Sequence, residues 1–234
     1  LESLCNEAAI LALRKRAKKV GDEELREALD KVIMGEKLDR RPSETELRRV
    51  AVHEAGHAIV AEKVRPGSVA QVTVSPRGNA LGYVRHSPQD DRYIYPRETL
   101  EEEIDILLAG ALAEDVVLGS RSTGASNDFQ RALDMAKRIV SYGMSPLGVV
   151  DRDTAGPDLL AKATREILKA AEERTLPLIR RYENVLRRIA DDLMVKETIS
   201  GDQLRELLGL ASKVAWRWRK LPSNRGKVRS RVEA

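Results

Sequence analysis

The 234 residues carry 41 Lys and Arg against 37 Asp and Glu and are 42% hydrophobic, which excludes disorder over the whole length and leaves enough chain for one or two compact domains. Only 3% are aromatic, so Leu, Ile, Val and Ala must fill the core, a composition suited to a mainly α fold rather than a β-sandwich. The lone Cys5 excludes an intrachain disulfide, and the richest apolar stretch, 104–118, is broken by Asp105, Glu114 and Asp115, which excludes a membrane span.

The opening Leu1-Glu2-Ser3 reads as a soluble fragment from a reducing compartment, with Cys5 packed in the first helix. Leu4, Ala8 and Leu11 follow one helical stripe. After Gly21, Asp22 is a candidate N-cap for a second helix whose Leu25, Ala28, Leu29, Val32 and Ile33 share a face and which Gly35 closes. Residues 1–36 thus form a helix pair, and the polar stretch 37–42 reads as a linker. Ser43-Glu44-Thr45-Glu46 is a capping box that starts a helix lasting until Pro66-Gly67. Two β-prone runs, 69–75 and 81–86, are the strand candidates, separated by Pro76-Arg77-Gly78-Asn79 as in a hairpin or a pair of edge strands. Helical spacing returns over 98–118 and stops at Gly119; a Ser/Gly loop follows, and Asp128 opens the next helix, which ends at Gly143. A long helical stretch, 159–195, is predicted to break at Pro177, and a short helix covers 202–210. Residues 211–234 hold eight basic residues against Glu233, a balance of +7 that leaves 1–210 at −3. This basic tail reads as a solvated terminus, with anionic lipid as its functional alternative and no nucleic-acid partner expected.

His53-Glu54-Ala55-Gly56-His57 falls inside the capped helix. Residues four apart share a helical face, so both imidazoles can meet one metal ion, with Glu54 beside them. Zinc suits such a site: two neutral imidazoles and a carboxylate leave a fourth position for water, whose pKa falls from about 16 to about 7. A carboxylate that is not a ligand then accepts the proton as the water attacks a peptide carbonyl, the role open to Glu54. The bland alternative is a pair of helix histidines satisfied by carboxylates, with no metal. The third ligand is open at this level. An extended H-E-x-x-H-x-x-G-x-x-H site would need Gly and His where Val60 and Lys63 stand. His86, the remaining histidine, reads as a strand-end surface residue, which leaves Glu114 and Asp128; a helix N-terminus would hold the latter ionised.

Four segments together, His53-Glu54-Ala55-Gly56-His57, 72–83, Ser122-Thr123-Gly124-Ala125-Ser126-Asn127-Asp128 and Tyr142-Gly143-Met144-Ser145, resemble the peptidase domain of the FtsH family of ATP-dependent zinc metalloproteases over residues 43–210. Residues 1–36 resemble the end of that family's AAA+ lid. The resemblance implies one Zn2+ per chain held by His53, His57 and Asp128, with Glu54 as general base and Glu114 orienting a ligand from behind. It also implies a helical metallopeptidase with unfolded polypeptides as substrates, and a full-length protein that is a homo-hexamer on the cytoplasmic face of the cell membrane. Substrate is expected to lie extended along an edge strand at Val72, Thr73 and Val74. Departures from the family pattern, Ala109-Gly110-Ala111 and Pro177 among them, include no metal ligand and bear on local packing and the C-terminal geometry rather than on the chemistry. No G-x-x-x-x-G-K-[ST] phosphate loop occurs in these residues, so ATP would be bound by a module outside them. The rival reading is an assembly platform for a hexameric AAA+ complex with a catalytically weak site.

Overall fold

The computed structural model describes residues 1–36, 42–76, 81–87, 93–151 and 155–210. Its elements are α1 (Glu2–Arg14), α2 (Asp22–Met34), α3 (Glu44–Val64), β1 (Val69–Thr73), β2 (Tyr83–His86), α4 (Arg97–Leu118), α5 (Ser126–Ser141), α6 (Pro157–Arg181), α7 (Glu183–Lys196), β3 (Thr198–Ser200) and α8 (Gly201–Leu207). The fold is mainly α, as the composition requires. Most of the predicted linker, the 77–80 connection between β1 and β2, and the basic tail lie outside the described residues.

Ser43 caps α3 as predicted: its Oγ accepts from the Glu46 N–H at 3.3 Å, and the Glu46 carboxylate accepts from the Ser43 N–H at 2.9 Å. From Ala51 to Glu62 every α3 residue is buried, so this helix is the axis of the domain. Small residues let α4 approach it closely. A Cβ on Gly56 would sit 2.6 Å from both the Ala109 carbonyl oxygen and the Ala113 Cβ, so only glycine permits this crossing. One core joins α3, β1, α4, α7, β3 and α8 through Ile59, Leu112, Leu186, Leu193, Ile199 and Leu204. A second lies on the other side of α4, where Ile104 and Leu107 meet Ile139 of α5 and Ile167 of α6. Each of these large side chains contributes about 1.5–3 kcal/mol by leaving water.

The α1–α2 pair encloses a far smaller core, Ala8, Leu11 and Ala28. That burial cannot offset the roughly 1–2 kcal/mol per residue of backbone entropy lost on ordering two helices. The predicted α2 stripe is only partly used: Ala28 is buried, but Val32 is 49% and Ile33 60% exposed. Cys5, expected to be packed, is exposed, because α1 buries only the Ala8, Leu11 and Ala12 side. Helix α2 begins at Asp22 with Gly21 as its cap residue, and the Gly21 N–H is held by Glu24 at 2.9 Å.

Two other expectations need correction. Helix α6 runs through Pro177 and ends at Arg181, with Tyr182 as its C-cap. Proline removes one intrahelical hydrogen bond, but buried Thr175 and Ile179 on either side keep the helix packed. The sheet is three-stranded and antiparallel in the order β2-β1-β3, so the two predicted strands are joined by a third. Strand β3 escapes periodicity because it is three residues long. Glu197, in the left-handed conformation at φ 57°, turns α7 directly into it.

A buried ion pair ties the far end of α3 to the sheet and to α8. Glu62, fully buried, accepts from the Gly67 and Val69 N–H groups at 2.7 and 3.0 Å and from Arg205 Nη1 at 2.8 Å. Removing one partner of such a pair strands the other. Arg205→Met is therefore expected to cost about 3 kcal/mol in urea denaturation, near the low end for buried pairs because two amides still serve Glu62. Adding Glu62→Gln should recover part of that loss, and an unaltered midpoint in Arg205→Met would show the pair to be dispensable.

Candidate metal centre

Helix α3 presents His53 and His57 on one face, and α4 crosses directly beneath them. A Cβ on Gly110 would lie 2.6 Å from His53 Cε1, His53 Nε2 and His57 Nε2. The Ala109-Gly110-Ala111 segment, read from sequence as a matter of local packing rather than of the chemistry, is thus the floor of the site. Glycine is required there for space rather than for backbone freedom.

Three donor atoms converge above that floor. His57 Nε2 stands 2.9 Å from His53 Nε2, and Asp128 Oδ2 is 3.2 Å from His53 Nε2 and 3.3 Å from His57 Nε2. Tetrahedral zinc with bonds of about 2.0–2.1 Å requires ligand atoms about 3.3 Å apart, so the triangle has the size the ion needs. Among the described residues, His53, His57 and Asp128 form the group of His, Cys, Asp or Glu side chains able to share one cation. The outer ring nitrogens are already committed. His57 Nδ1 donates to the Ile106 carbonyl at 2.7 Å, and His53 Nδ1 donates to Glu114 Oε1 at 2.8 Å. Both Nε2 lone pairs then face each other and a carboxylate, an arrangement that repels itself unless a proton or a cation lies between them.

The electrostatics match. Burial alone would lower the His53 imidazole, but the hydrogen bonds of Asp128 and Glu114 and the nearby Glu54 charge outweigh it and raise its pKa to about 10. Metal competes with a proton for this imidazole, so metal affinity is expected to rise with pH, which zinc titrations at several pH values would check. Burial opposes the ionised Asp128 too, yet the two imidazoles hold it well below the usual carboxylate range. Glu54 is shifted the other way: burial raises its carboxyl, with the imidazoles only partly offsetting the effect. Glu114 is 1% exposed, and its burial is outweighed by hydrogen bonds from His53, Arg49 and Ser122, which lower its pKa.

The structure separates the two carboxylates that helix spacing and charge alone left in competition, and that the family resemblance divided into Asp128 as ligand and Glu114 behind it. Asp128, in the first turn of α5, reaches the ligand face of His53, while Glu114 on α4 holds the opposite ring nitrogen. His86 lines the cleft at the end of β2, outside the converging group. Sequence reasoning missed Gly110, the Ile106 carbonyl and Arg49, which donates to Glu114 Oε2 at 2.7 Å. Arg49 was legible in principle, one helical turn before His53.

An open cleft of about 1090 Å³ runs past the three donors, with Glu54, Gly82, Tyr83 and Val84 among its walls. Val72, Thr73 and Val74 cannot be its edge strand. Val72 pairs with Val84 on one side and Ile199 on the other, Thr73 pairs with Tyr83 and Thr198, and the Val74 N–H donates to the Glu197 carbonyl. Strand β1 is central, and the sheet edge that lines the cleft is β2. Gly82, at its start, packs so tightly on α3 that a Cβ would come within 2.9 Å of Glu54 Cγ.

The family model for peptidase family M41 matches residues 40–207. The chain is 37% identical to the ATP-dependent zinc metalloprotease FtsH 4 of Synechocystis sp., over 89% of this chain and 37% of that protein. It is 37% identical to the ATP-dependent zinc metalloprotease FtsH of Thermotoga maritima, over 89% and 38%. Against the protein of that same description from Helicobacter pylori it is 39% identical, over 89% and 37%. The chain thus spans a little over a third of the length of these curated relatives.

Proposed function

The chain belongs to peptidase family M41, and on that premise we propose that it is a zinc-dependent endopeptidase that cleaves unfolded polypeptides, the proteolytic part of a larger ATP-dependent protease. The observation that carries this reading is the donor triangle of His53, His57 and Asp128, sized for a tetrahedral ion with both outer imidazole nitrogens already bonded.

Zinc, when bound, supplies Lewis acidity that makes water a better nucleophile and a peptide carbonyl a better electrophile. His53, His57 and Asp128 would hold it. Glu54, beside them on the cleft wall, takes the proton released as water attacks and passes it to the departing amine. The carboxyl's raised pKa makes it a stronger base than an exposed glutamate. Glu114 and the Ile106 carbonyl keep both imidazoles in the tautomer that presents Nε2 inward. An extended chain laid along β2, the outer strand of the β2-β1-β3 sheet that lines the cleft, would bring its backbone past Glu54 without demanding particular side chains; a bound peptide seated on β3 instead would refute that placement.

The remaining parts of this reading rest on the family. Residues 1–36 are read as the end of an AAA+ lid, and the full-length protein as a hexamer at the cytoplasmic face of the cell membrane. No described helix is long and apolar enough to cross a membrane. With no phosphate loop in these residues, casein cleavage by the chain should need no ATP, and tightly folded proteins should survive.

The test is metal removal. The chain is expected to hold one zinc, to stop cleaving casein when a strong chelator strips it, and to recover on zinc addition; Asp128→Ala should lose both zinc and cleavage. Cleavage that persists in the stripped protein, or zinc held as tightly by Asp128→Ala, would overturn the proposal.

A further inference from the structure

We propose that Arg49 is a positioning residue that brackets the two halves of the metal clamp, fixing the carboxylate behind His53 and the loop that delivers Asp128 in one arrangement. The inference rests on the zinc reading above. Arg49 precedes His53 by one turn of α3, so its side chain runs along the same face. Its Nη1 donates to Glu114 Oε2 and to the Ser120 carbonyl, both at 2.7 Å, and its Nη2 donates to Ser120 Oγ at 3.2 Å. The second Glu114 oxygen receives His53 Nδ1 at 2.8 Å and Ser122 Oγ at 3.1 Å. Ser120 and Ser122 belong to the short loop between α4 and α5, and Asp128 follows in the first turn of α5.

One guanidinium therefore joins three pieces of chain that are separate in sequence: the helix of both imidazoles, the helix of the orienting carboxylate, and the loop leading to the third ligand. The planar fork is what allows it. Its donors leave from two nitrogens at fixed angles and reach Glu114, the Ser120 carbonyl and Ser120 Oγ together, whereas an ammonium's three donors radiate from one atom and cannot reproduce that spread. The Arg48 side chain contacts Asp191 on α7 instead, and so provides an internal control on the same helix.

The experiment follows zinc transfer from the loaded 234-residue chain to a competing chelator, with the visible absorption of the cobalt-substituted protein as a second readout. Arg49→Met is expected to weaken zinc binding about 10–100-fold, the range for an outer contact to a metal ligand, and to alter the cobalt band. Arg49→Lys keeps the charge without the fork and should restore only part of the affinity. Arg48→Met should match wild type. Because Arg49 acts partly through Glu114, Arg49→Met should cost less in a Glu114→Gln background than alone. Wild-type zinc retention and an unchanged cobalt band in Arg49→Met, or full rescue by lysine, would overturn the bracket while leaving the zinc reading intact. A wild-type chain that binds no zinc would overturn both.

Discussion

Glu54→Gln is expected to keep its zinc and lose peptide cleavage by about 10²–10⁴-fold, the usual worth of a positioned general base. The amide is nearly isosteric with the carboxyl, so neither the α3–α4 packing nor the donor triangle should change. It cannot accept the proton. The loss should fall on kcat with little change in KM, because Glu54 acts on the attacking water rather than on the resting substrate. Metal content and single-substrate kinetics on the purified chain check both halves of the expectation. Zinc retained with undiminished turnover would remove Glu54 from the mechanism, and no turnover in wild type either would favour the platform reading.

Gly110→Ala is expected to empty the centre from below. The added methyl would sit 2.6 Å from both imidazole Nε2 atoms, far inside any permitted contact. The backbone has no room to retreat, since Gly56 already lies as close to Ala109 and Ala113 as a Cβ would forbid. Either imidazole must swing away, and zinc affinity should fall by more than about 100-fold, beyond what an outer contact is worth. The helix itself should not suffer, because alanine is favoured over glycine in a helix interior by about 1 kcal/mol. Metal analysis beside far-ultraviolet circular dichroism distinguishes a lost site from a lost fold. Wild-type zinc affinity in this variant would mean that α4 does not floor the site.

Local rules reached the parts of the molecule that are local. The Ser43 capping box, the His53 and His57 face one turn apart, and the stop at Gly119, which adopts the left-handed conformation, each depend on residues within a turn or two of one another. The choice between Glu114 and Asp128 could not be made that way. Both carboxylates bind His53, on opposite ring nitrogens, and sequence spacing carries no information about which side of a ring a distant residue approaches. The misplaced substrate edge has a similar origin. Nothing near Val72 announces that Thr198-Ile199-Ser200 will occupy its second side, because that pairing closes a loop of well over a hundred residues. Gly110 was visible as a letter but not as a requirement, since its role exists only where two helices cross.

The sheet's asymmetry has a bearing on solubility. Unpaired strand margins invite copies of a protein to zip together into fibrils, and one natural defence is to keep them short. Strand β3 offers a template of only three residues, too little for another molecule to extend, so among the described residues this edge of the sheet is kept short in the way that discourages such pairing.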